Sequence, residues 1–161
     1  PDKNAQDMCN SIGMAAVLIP WGETIAALSS GVVAGVSTSS VSGVDGKFWE
    51  FLKYFHATNH AWSSEIVTIN NDTWKKISPA NQKIVTDLAK KLEPEFWASS
   101  LQADKDSIAK LTAGGMQLVT PPESMVADLR KRTAPMIDDF IKRVPAAEKP
   151  IKAYLAEMKR A

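Results

Sequence analysis

The chain has 161 residues, of which 45% are hydrophobic and 23% charged, proportions typical of a globular protein that buries a core. Its 19 basic and 18 acidic side chains are interspersed and leave a net charge of +1, which excludes the concentrated basic surface of a nucleic-acid-binding protein. The single cysteine excludes an internal disulfide and a cysteine-based metal cluster. No apolar run is long enough to span a bilayer.

Helix and strand signals alternate at the start of the chain, a pattern typical of an α/β sheet with crossover helices. It predicts helices over residues 4–11 and 23–29, each followed by a glycine, and strands over 17–19 and 32–36. The polar run 37–40 follows the second strand directly. Because ligands in open α/β sheets bind beyond the carboxyl ends of strands, this run is a candidate binding loop.

The middle of the chain begins with an aromatic-rich helical pattern over 45–53, followed by a predicted strand over 65–70. Asn71 is placed to cap a short helix. Ser78-Pro79 is a strong start signal for the next helix, whose apolar residues recur every four positions until Gly114-Gly115 ends it. We expect that helix to continue through an internal proline and to run across the molecule.

The last part of the chain contains one more predicted strand, over 116–119. Thr120 and Glu123 then form a capping box around Pro121, which is predicted to be the first helical residue. We expect this helix to bend at the proline of position 135, and a short final helix over 146–159 to end the chain.

Two catalytic or metal-binding interpretations were weighed. Serines cluster at 37–42 and histidines lie at positions 56 and 60, but no Gly-x-Ser-x-Gly elbow is present and nothing in the spacing places a histidine beside a serine. The histidine spacing suits two ligands on one helix face, yet Ala57 occupies the position where a zincin has glutamate, and the segment resembles a loop or strand. The sequence therefore predicts neither catalysis nor a metal site.

Tryptophan is unusually frequent, with 5 in the chain. Trp49, Trp74 and Trp97 stand at helical spacing and are predicted to pack in the core. Trp21 and Trp62 each lie at an element boundary beside small polar residues. There an indole either packs in the core or forms the wall of a pocket for a flat ligand, and both interpretations stay open.

Several blocks of sequence share their order and spacing with a known family: Ile19-Pro20-Trp21-Gly22-Glu23, Gly31-Val32-Val33-Ala34-Gly35, Lys47-Phe48-Trp49-Glu50 with Thr58-Asn59-His60, and Asn71-Asp72-Thr73-Trp74 with Ile77-Ser78-Pro79. The chain resembles the solute receptors of TRAP (tripartite ATP-independent periplasmic) transporters. In that family a Pro-aromatic-x-Glu turn leads into a helix, and a Gly-Val-(Val/Ile)-Asp-Gly strand leads into a ligand loop. The resemblance reaches the long helix, and beyond it the helices agree in pattern only.

The resemblance implies a two-lobed α/β fold of the type II periplasmic-binding-protein class, with a long helix that bridges the lobes. It assigns residues 1–63 to part of the C-terminal lobe, 64–103 to a segment that crosses to the N-terminal lobe, and 104–161 to the C-terminal lobe and the terminal helices. Family members are considerably longer, so most of the N-terminal lobe is expected to lie outside this sequence. Because the chain opens on proline rather than methionine, we expect a mature or partial product with its signal peptide removed.

The function implied by the resemblance is that of a receptor, not of an enzyme. Such receptors act in the bacterial periplasm, where they close over a small organic anion and deliver it to the TRAP permease subunits of the membrane. The resemblance implies no cofactor, no metal and no nucleic-acid partner.

The family binds its ligand carboxylate with an arginine, which the matched blocks place immediately before Pro1. Arginine suits this role because its planar guanidinium pairs bidentately with a carboxylate and keeps its charge. Further positions correspond to the family's polar, aromatic and histidine positions around the ligand. The ligand-binding residues that the resemblance implies are Asp2, Trp21, Ser37, Thr38, Ser39, His60 and Trp62.

The ligand loop departs from the family pattern. Many members have Gly-Gln-Glu-Asn-Pro where this chain has residues 35–39, so hydroxyls replace an amide and an acidic neighbour, and Ala34 replaces the usual aspartate. Hydroxyls can still donate to a carboxylate. The resemblance also places two tryptophans, Trp21 and Trp62, near the ligand. Together these features favour a flat or aromatic carboxylate as the ligand over a sialic acid or a simple dicarboxylate.

Two rival functions come from other classes. One is an α/β enzyme that uses the loop 37–42 and His60. The other is an interaction module built on the long helix over 79–114. Segments outside the sequence are expected to cover half of the predicted sheet. Residues 1–161 alone would expose that half, so we predict that they do not fold stably.

Overall fold

A computed structural model describes residues 3–61, 63 and 66–158. The predicted binding residues Asp2 and Trp62 lie outside these described residues. The described elements, in chain order, are the helices α1 (Lys3–Ser11), α2 (Trp21–Ser29) and α3 (Ser40–Asp45), a 3-10 turn (Phe48–Glu50), strand β1 (Tyr54–His56), helices α4 (Asn71–Lys76) and α5 (Pro79–Ala113), strand β2 (Gln117–Val119), helices α6 (Glu123–Thr133) and α7 (Pro135–Arg143), a second 3-10 turn (Pro145–Ala147) and helix α8 (Glu148–Glu157).

Helix α5 follows the predicted long helix at both ends. The Ser78 hydroxyl accepts a hydrogen bond of 3.3 Å from the backbone amide of Asn81, Pro79 opens the helix, and Gly114 caps its end. The helix has 35 residues and continues through Pro94, as predicted. The sequence predicted both ends of this helix because each end is marked by nearby residues, Ser78-Pro79 at the start and Gly114 at the end.

Two predicted helix starts are wrong by one or more residues. Asn70, not Asn71, caps α4, and its side-chain oxygen accepts from the amides of the second and third helical residues. Thr120 does not cap α6, which begins at Glu123 after the extended residue Pro122. The reason is steric: a residue that precedes proline is pushed out of the helical region, so Pro121 cannot open the helix.

The strands differ most from prediction. β1 and β2 form a parallel pair with Tyr54 opposite Gln117 and His56 opposite Val119, so the prediction over 116–119 is confirmed in β2. The predicted strands over 17–19 and 32–36 and the described part of 65–70 have no regular structure. A strand needs a neighbour with which to exchange hydrogen bonds, and these segments pair with no described residue.

The predicted helix over 45–53 is also absent. Instead, α3 ends at Asp45, and Lys47 adopts the left-handed conformation with a φ of 47° before the 3-10 turn. A left-handed residue with a side chain interrupts a right-handed helix, so the aromatic residues that follow leave the helical path.

The chain divides into two packing units, which are described separately. Unit 1 comprises residues 1–30 and 121–161, and unit 2 comprises 31–120. The assignment of residue ranges to two lobes stays a prediction.

In unit 1, the thiol of Cys9 and the side chain of Leu28 are buried. Thr24 is also buried, and its hydroxyl donates to the carbonyl of Pro20 at 3.3 Å, one turn earlier. Helix α1 contacts α6 in the same unit. The buried thiol agrees with a structural cysteine rather than a reactive one.

In unit 2, α3 packs on the last turns of α5. Leu111 is 1% exposed, and its methyl groups lie 3.3 and 3.4 Å from the point where a Cβ on Gly43 would stand. Phe48 and Met116 complete this small core. Glycine favours this close approach of the two helices, because a Cβ at position 43 would be in tight contact with Leu111.

Much of the apolar surface of α5 is exposed. The stripe that the sequence predicts to be packed includes Ile84, Leu88 and Phe96, all of which are exposed, and Trp97, predicted as a core residue, is 63% exposed. Ahead of the helix, Val67 is 94% exposed. An apolar surface of this extent marks a region that other protein surface covers in a stable protein. No helix in the described part of the chain is both long and apolar enough to cross a bilayer.

Residues 1–161 expressed alone are expected to lack cooperative unfolding, because the exposed stripe on α5 contributes little burial to stability. Thermal unfolding followed by near-ultraviolet and far-ultraviolet circular dichroism is the measurement. A single sharp transition at the same temperature by both signals would contradict the prediction.

The Gly114→Ala substitution is expected to destabilise the protein at its full natural length by about 1–3 kcal/mol, since overpacking forces neighbouring atoms to move. A Cβ at this position would lie 2.6 Å from Cγ and Cδ2 of Trp49, near the base of that ring. Gly22→Ala is the matched control, because a Cβ there meets nothing within 4 Å. Urea unfolding of both variants decides, and equal midpoints would contradict the prediction.

Candidate ligand-binding site

The candidate site is built at the carboxyl edge of the two parallel strands. The ladder extends one residue past β1, where the amide of Ala57 donates to the carbonyl of Val119 at 3.2 Å. The chain then leaves the sheet, because the amide of Thr58 turns back to the carbonyl of His56 at 2.9 Å. This is the edge at which α/β proteins bind ligands.

A left-handed residue shapes the segment that follows. Asn59 has a φ of 47°, and asparagine tolerates this conformation better than most residues. The reversal brings the hydroxyl of Thr58 to 2.6 Å from Nδ1 of His60. The imidazole is thereby oriented by a neighbour two positions away in the sequence.

The second nitrogen of the same ring meets the predicted loop. Ser37 Oγ lies 3.3 Å from Nε2 of His60. The imidazole therefore bridges the hydroxyls of Ser37 and Thr58, which are far apart in the sequence. Ser37 and His60 are exposed, and Thr58 is half-buried. We call Ser37, Thr58 and His60 the hydroxyl–imidazole cluster.

The loop that carries Ser37 is anchored on its other side by α3. The Ser39 hydroxyl caps this helix by accepting from the amide of Ser42 at 3.1 Å, and it donates to the hydroxyl of Ser42 at 3.0 Å. Ser40 is 3% exposed and donates to the carboxylate of Asp104 on α5 at 2.5 Å. The hydrogen bond from Ser40 to Asp104 therefore fixes the loop to α5 directly after the exposed hydroxyl residues 37–39.

The predicted site residues are distributed unevenly. Ser37 and His60 are in contact, Thr38 is exposed beside them in sequence, and the Ser39 hydroxyl is engaged in the helix cap. Trp21 opens α2 in unit 1 and is 47% exposed. The ligand-binding roles of all these residues remain predictions.

Thr58 is the residue that sequence reasoning missed. A threonine in a polar segment carries no distinctive signal, because the pattern of residues 57–61 does not reveal a turn that folds position 58 back on position 60. Asn59 was the available clue, since asparagine is enriched at left-handed positions.

Two hollows lie elsewhere, among the C-terminal helices of unit 1. One of about 490 Å³ is lined by Pro145, Ala146, Glu148, Lys149 and Lys152. There the hydrogen bond from Lys152, followed by its charge, lowers the pKa of the Glu148 carboxyl. Both side chains are exposed to water, which screens their attraction. The described residues contain no group of acidic, histidine and cysteine side chains that could hold a metal ion.

Solved structures with the same fold are TRAP periplasmic solute-binding proteins. One from Desulfovibrio salexigens, with bound orotic acid, is 27% identical with a TM-score of 0.85, covering 99% of this chain and 52% of that protein. Another from Ochrobactrum anthropi is 23% identical with a TM-score of 0.85, covering 99% of this chain and 49% of that one. This chain spans about half the length of the solved structures it matches. The predicted fold class, the two-lobed α/β fold of these proteins, is confirmed.

The family model for bacterial extracellular solute-binding proteins, family 7 (DctP), matches residues 1–143, and the chain belongs to this family. A solute-binding protein of Chromohalobacter salexigens is 21% identical over 144 residues, which are 88% of this chain and 41% of that protein. The predicted resemblance to TRAP solute receptors is confirmed.

Removal of the loop anchor tests the geometry described above. Asp104→Ala leaves the buried Ser40 hydroxyl without its acceptor, so we expect a loss of about 1–2 kcal/mol in the free energy of unfolding. Asp106→Ala is the control, because its carboxylate accepts only from Gln102 on the exposed side of the same helix. Urea unfolding of both variants measures the difference, and an Asp104 variant no less stable than the control would show that the anchor contributes nothing.

Proposed function

We propose that this chain is part of an extracytoplasmic receptor that binds a small organic carboxylate in the periplasm and delivers it to a TRAP membrane permease. The receptor performs no chemistry on its ligand. The observation that carries the proposal is the hydroxyl–imidazole cluster at the carboxyl edge of the strands. Its members are hydrogen-bonding groups of a kind that can bind the oxygens of a carboxylate, and two of its three side chains are exposed.

The ligands of related receptors support an acidic solute. Besides the receptor with orotic acid, one from a Sulfitobacter species holds β-D-galacturonate, and one from Bordetella pertussis binds pyroglutamic acid. Those two are 20% and 22% identical to this chain, so they support the fold and suggest only a ligand class. A carboxylate is the feature that the three ligands share.

A flat carboxylate is the form of ligand that we favour. Trp21 is half exposed at the start of α2, and it is proposed, with Trp62, as an aromatic ligand-binding residue. Orotate is a planar ring that bears one carboxylate, so aromatic side chains suit its ring and hydroxyl donors suit its carboxylate. Asp2, Thr38 and Ser39 complete the proposed set of ligand-binding residues, with the arginine expected immediately before Pro1.

One observation favours the rival interpretation as an enzyme. Ser37 Oγ and His60 Nε2 are separated by 3.3 Å, close to the distance of a nucleophile and its base. However, the group at Nδ1 is the neutral hydroxyl of Thr58. In a hydrolase triad a carboxylate at that place stabilises the imidazolium, and a hydroxyl lacks the charge to do so. Membership of a solute-binding family adds to the case for a receptor.

A ligand screen tests the proposal on the protein at its full natural length. Orotate, glucuronate, galacturonate and pyroglutamate are each added, and the melting temperature is compared with that in uracil, which is orotate without its carboxylate. A ligand at 100 times its dissociation constant stabilises a protein by about 2.7 kcal/mol, so binding produces a clear upward shift. We expect a shift with orotate and none with uracil.

Each result has a distinct meaning. No shift with any acid would reject a carboxylate receptor, and shifts with sugar acids alone would reject the flat ligand but keep the carboxylate.

His60→Ala is expected to weaken binding of the active acid about tenfold or more, through loss of a hydrogen bond near a charged group. Consumption of the acid by the unmodified protein, lost in His60→Ala, would instead establish the enzyme. Unchanged binding in both His60→Ala and Trp21→Ala would favour an interaction module.

A further inference from the structure

Both ring nitrogens of His60 face a hydroxyl oxygen. Thr58 Oγ1 lies 2.6 Å from Nδ1, and Ser37 Oγ lies 3.3 Å from Nε2. Toward a given ring nitrogen a hydroxyl either donates its hydrogen or accepts with its oxygen, and a ring nitrogen donates when protonated and accepts when it is not. The protonation state of the imidazole therefore decides which way each hydroxyl hydrogen points.

The neutral imidazole leaves one hydroxyl hydrogen available. If Nε2 is protonated it donates to Ser37, and Nδ1 accepts the hydrogen of Thr58, so only Ser37 can donate outward. In the other tautomer the roles are reversed, and only Thr58 can donate outward. In either neutral form the cluster offers a ligand one hydroxyl donor.

The protonated imidazolium changes this count. Both nitrogens then donate, both hydroxyl oxygens accept, and the hydrogens of Ser37 and Thr58 are both free to donate away from the ring. Protonation thus adds one outward donor and one positive charge. An anion that only accepts hydrogen bonds gains from both changes.

None of the ion pairs among the described residues includes His60. Residues 31–40 carry no charged side chain. The neighbouring elements carry several charged or titratable groups: Lys53, Tyr54 and His56 in and just before β1, Asp45 of α3, and Asp104, Lys105, Asp106 and Lys110 in the last turns of α5. Glu65 follows in the chain but lies outside the described residues.

These groups are engaged elsewhere or make no ion pair with His60 within the described chain. Asp104 accepts from Ser40, Lys53 lies over the ring of Tyr54, and the ring of His56 also contacts that of Tyr54. A bound anion would accordingly be the counter-charge that favours a proton on the ring.

We infer that His60 takes up a proton when the site binds an oxyanion, and that Thr58 donates a hydrogen bond to that anion together with Ser37. The inference rests on the proposed function and adds to it the class of ligand group, which accepts hydrogen bonds only, and a coupling of ligand binding to pH. Histidine is the side chain whose charge ordinarily changes between about pH 5 and 8, so a coupling through histidine makes ligand affinity depend on pH.

The inference is tested by calorimetry on the unmodified protein at its full natural length. Orotate, glucuronate and pyroglutamate are each titrated at about pH 8, where an ordinary histidine is mostly neutral. The experiment is repeated in Tris and in triethanolamine, two cationic buffers whose different heats of ionisation reveal the protons taken up. We expect net proton uptake when each acid binds, and a dissociation constant that rises with pH.

Matched variants identify the group responsible. His60→Gln keeps a hydrogen-bonding side chain but is expected to abolish the proton uptake. His56→Gln, at the end of β1, should leave the proton uptake unchanged. Thr58→Val is expected to weaken acid binding, whereas Thr86→Val should not, because the Thr86 hydroxyl donates to the carbonyl of Gln82 on the exposed surface of α5.

The outcomes separate this inference from the function on which it rests. Binding of an acid without proton uptake overturns the inference and leaves the carboxylate receptor intact. Proton uptake that persists in His60→Gln also overturns it, because another group is then the acceptor. Failure of all three acids to bind overturns the receptor proposal and the inference together. Absence of proton uptake by the unmodified protein overturns the inference even if a variant fails to fold.

Discussion

The packing of α3 on the last turns of α5 determines where both halves of the candidate site lie. On one side, Gly43 against Leu111 and the bond from Ser40 to Asp104 fix the start of α3, and with it the loop that precedes this helix. On the other side, the chain reverses after α5 through a glycine with a φ of 109° at position 115 and enters β2. β2 pairs with β1, which delivers Thr58 and His60 to the same edge. A single helix end thus organises residues that are distant in sequence.

Local signals predicted the helices well and the strands poorly, for a physical reason. The limits of α5 follow from a serine cap, a proline and a terminal glycine, all of which act within a few residues. The pairing of Tyr54–His56 with Gln117–Val119 joins segments that are far apart in sequence. Neither segment contains a sequence signal that identifies the other as its partner strand. The apolar run 32–36 has the composition of a strand and was predicted to be one. It pairs with no described residue and has no regular structure.

The candidate site was predictable in its composition but not in its geometry. The hydroxyl loop stood out through its position after a predicted strand, and His60 through the family resemblance. Their contact could not be derived, because it depends on the turn at Thr58 and the left-handed Asn59. The resemblance matched the block Thr58-Asn59-His60 but assigned a role only to the histidine, so it did not reveal that the Thr58 hydroxyl orients the imidazole.

The two-sided contact of His60 also makes this residue a natural spectroscopic probe. The nitrogen chemical shifts of an imidazole distinguish its two neutral tautomers from the protonated ring, and each of those three forms corresponds to a different arrangement of the Ser37 and Thr58 hydroxyls. The chain contains 2 histidines, and they differ in surroundings, because His56 contacts an aromatic ring whereas His60 contacts hydroxyls. Isotope labelling of histidine alone would therefore show the state of the pocket through a resonance that needs no attached dye.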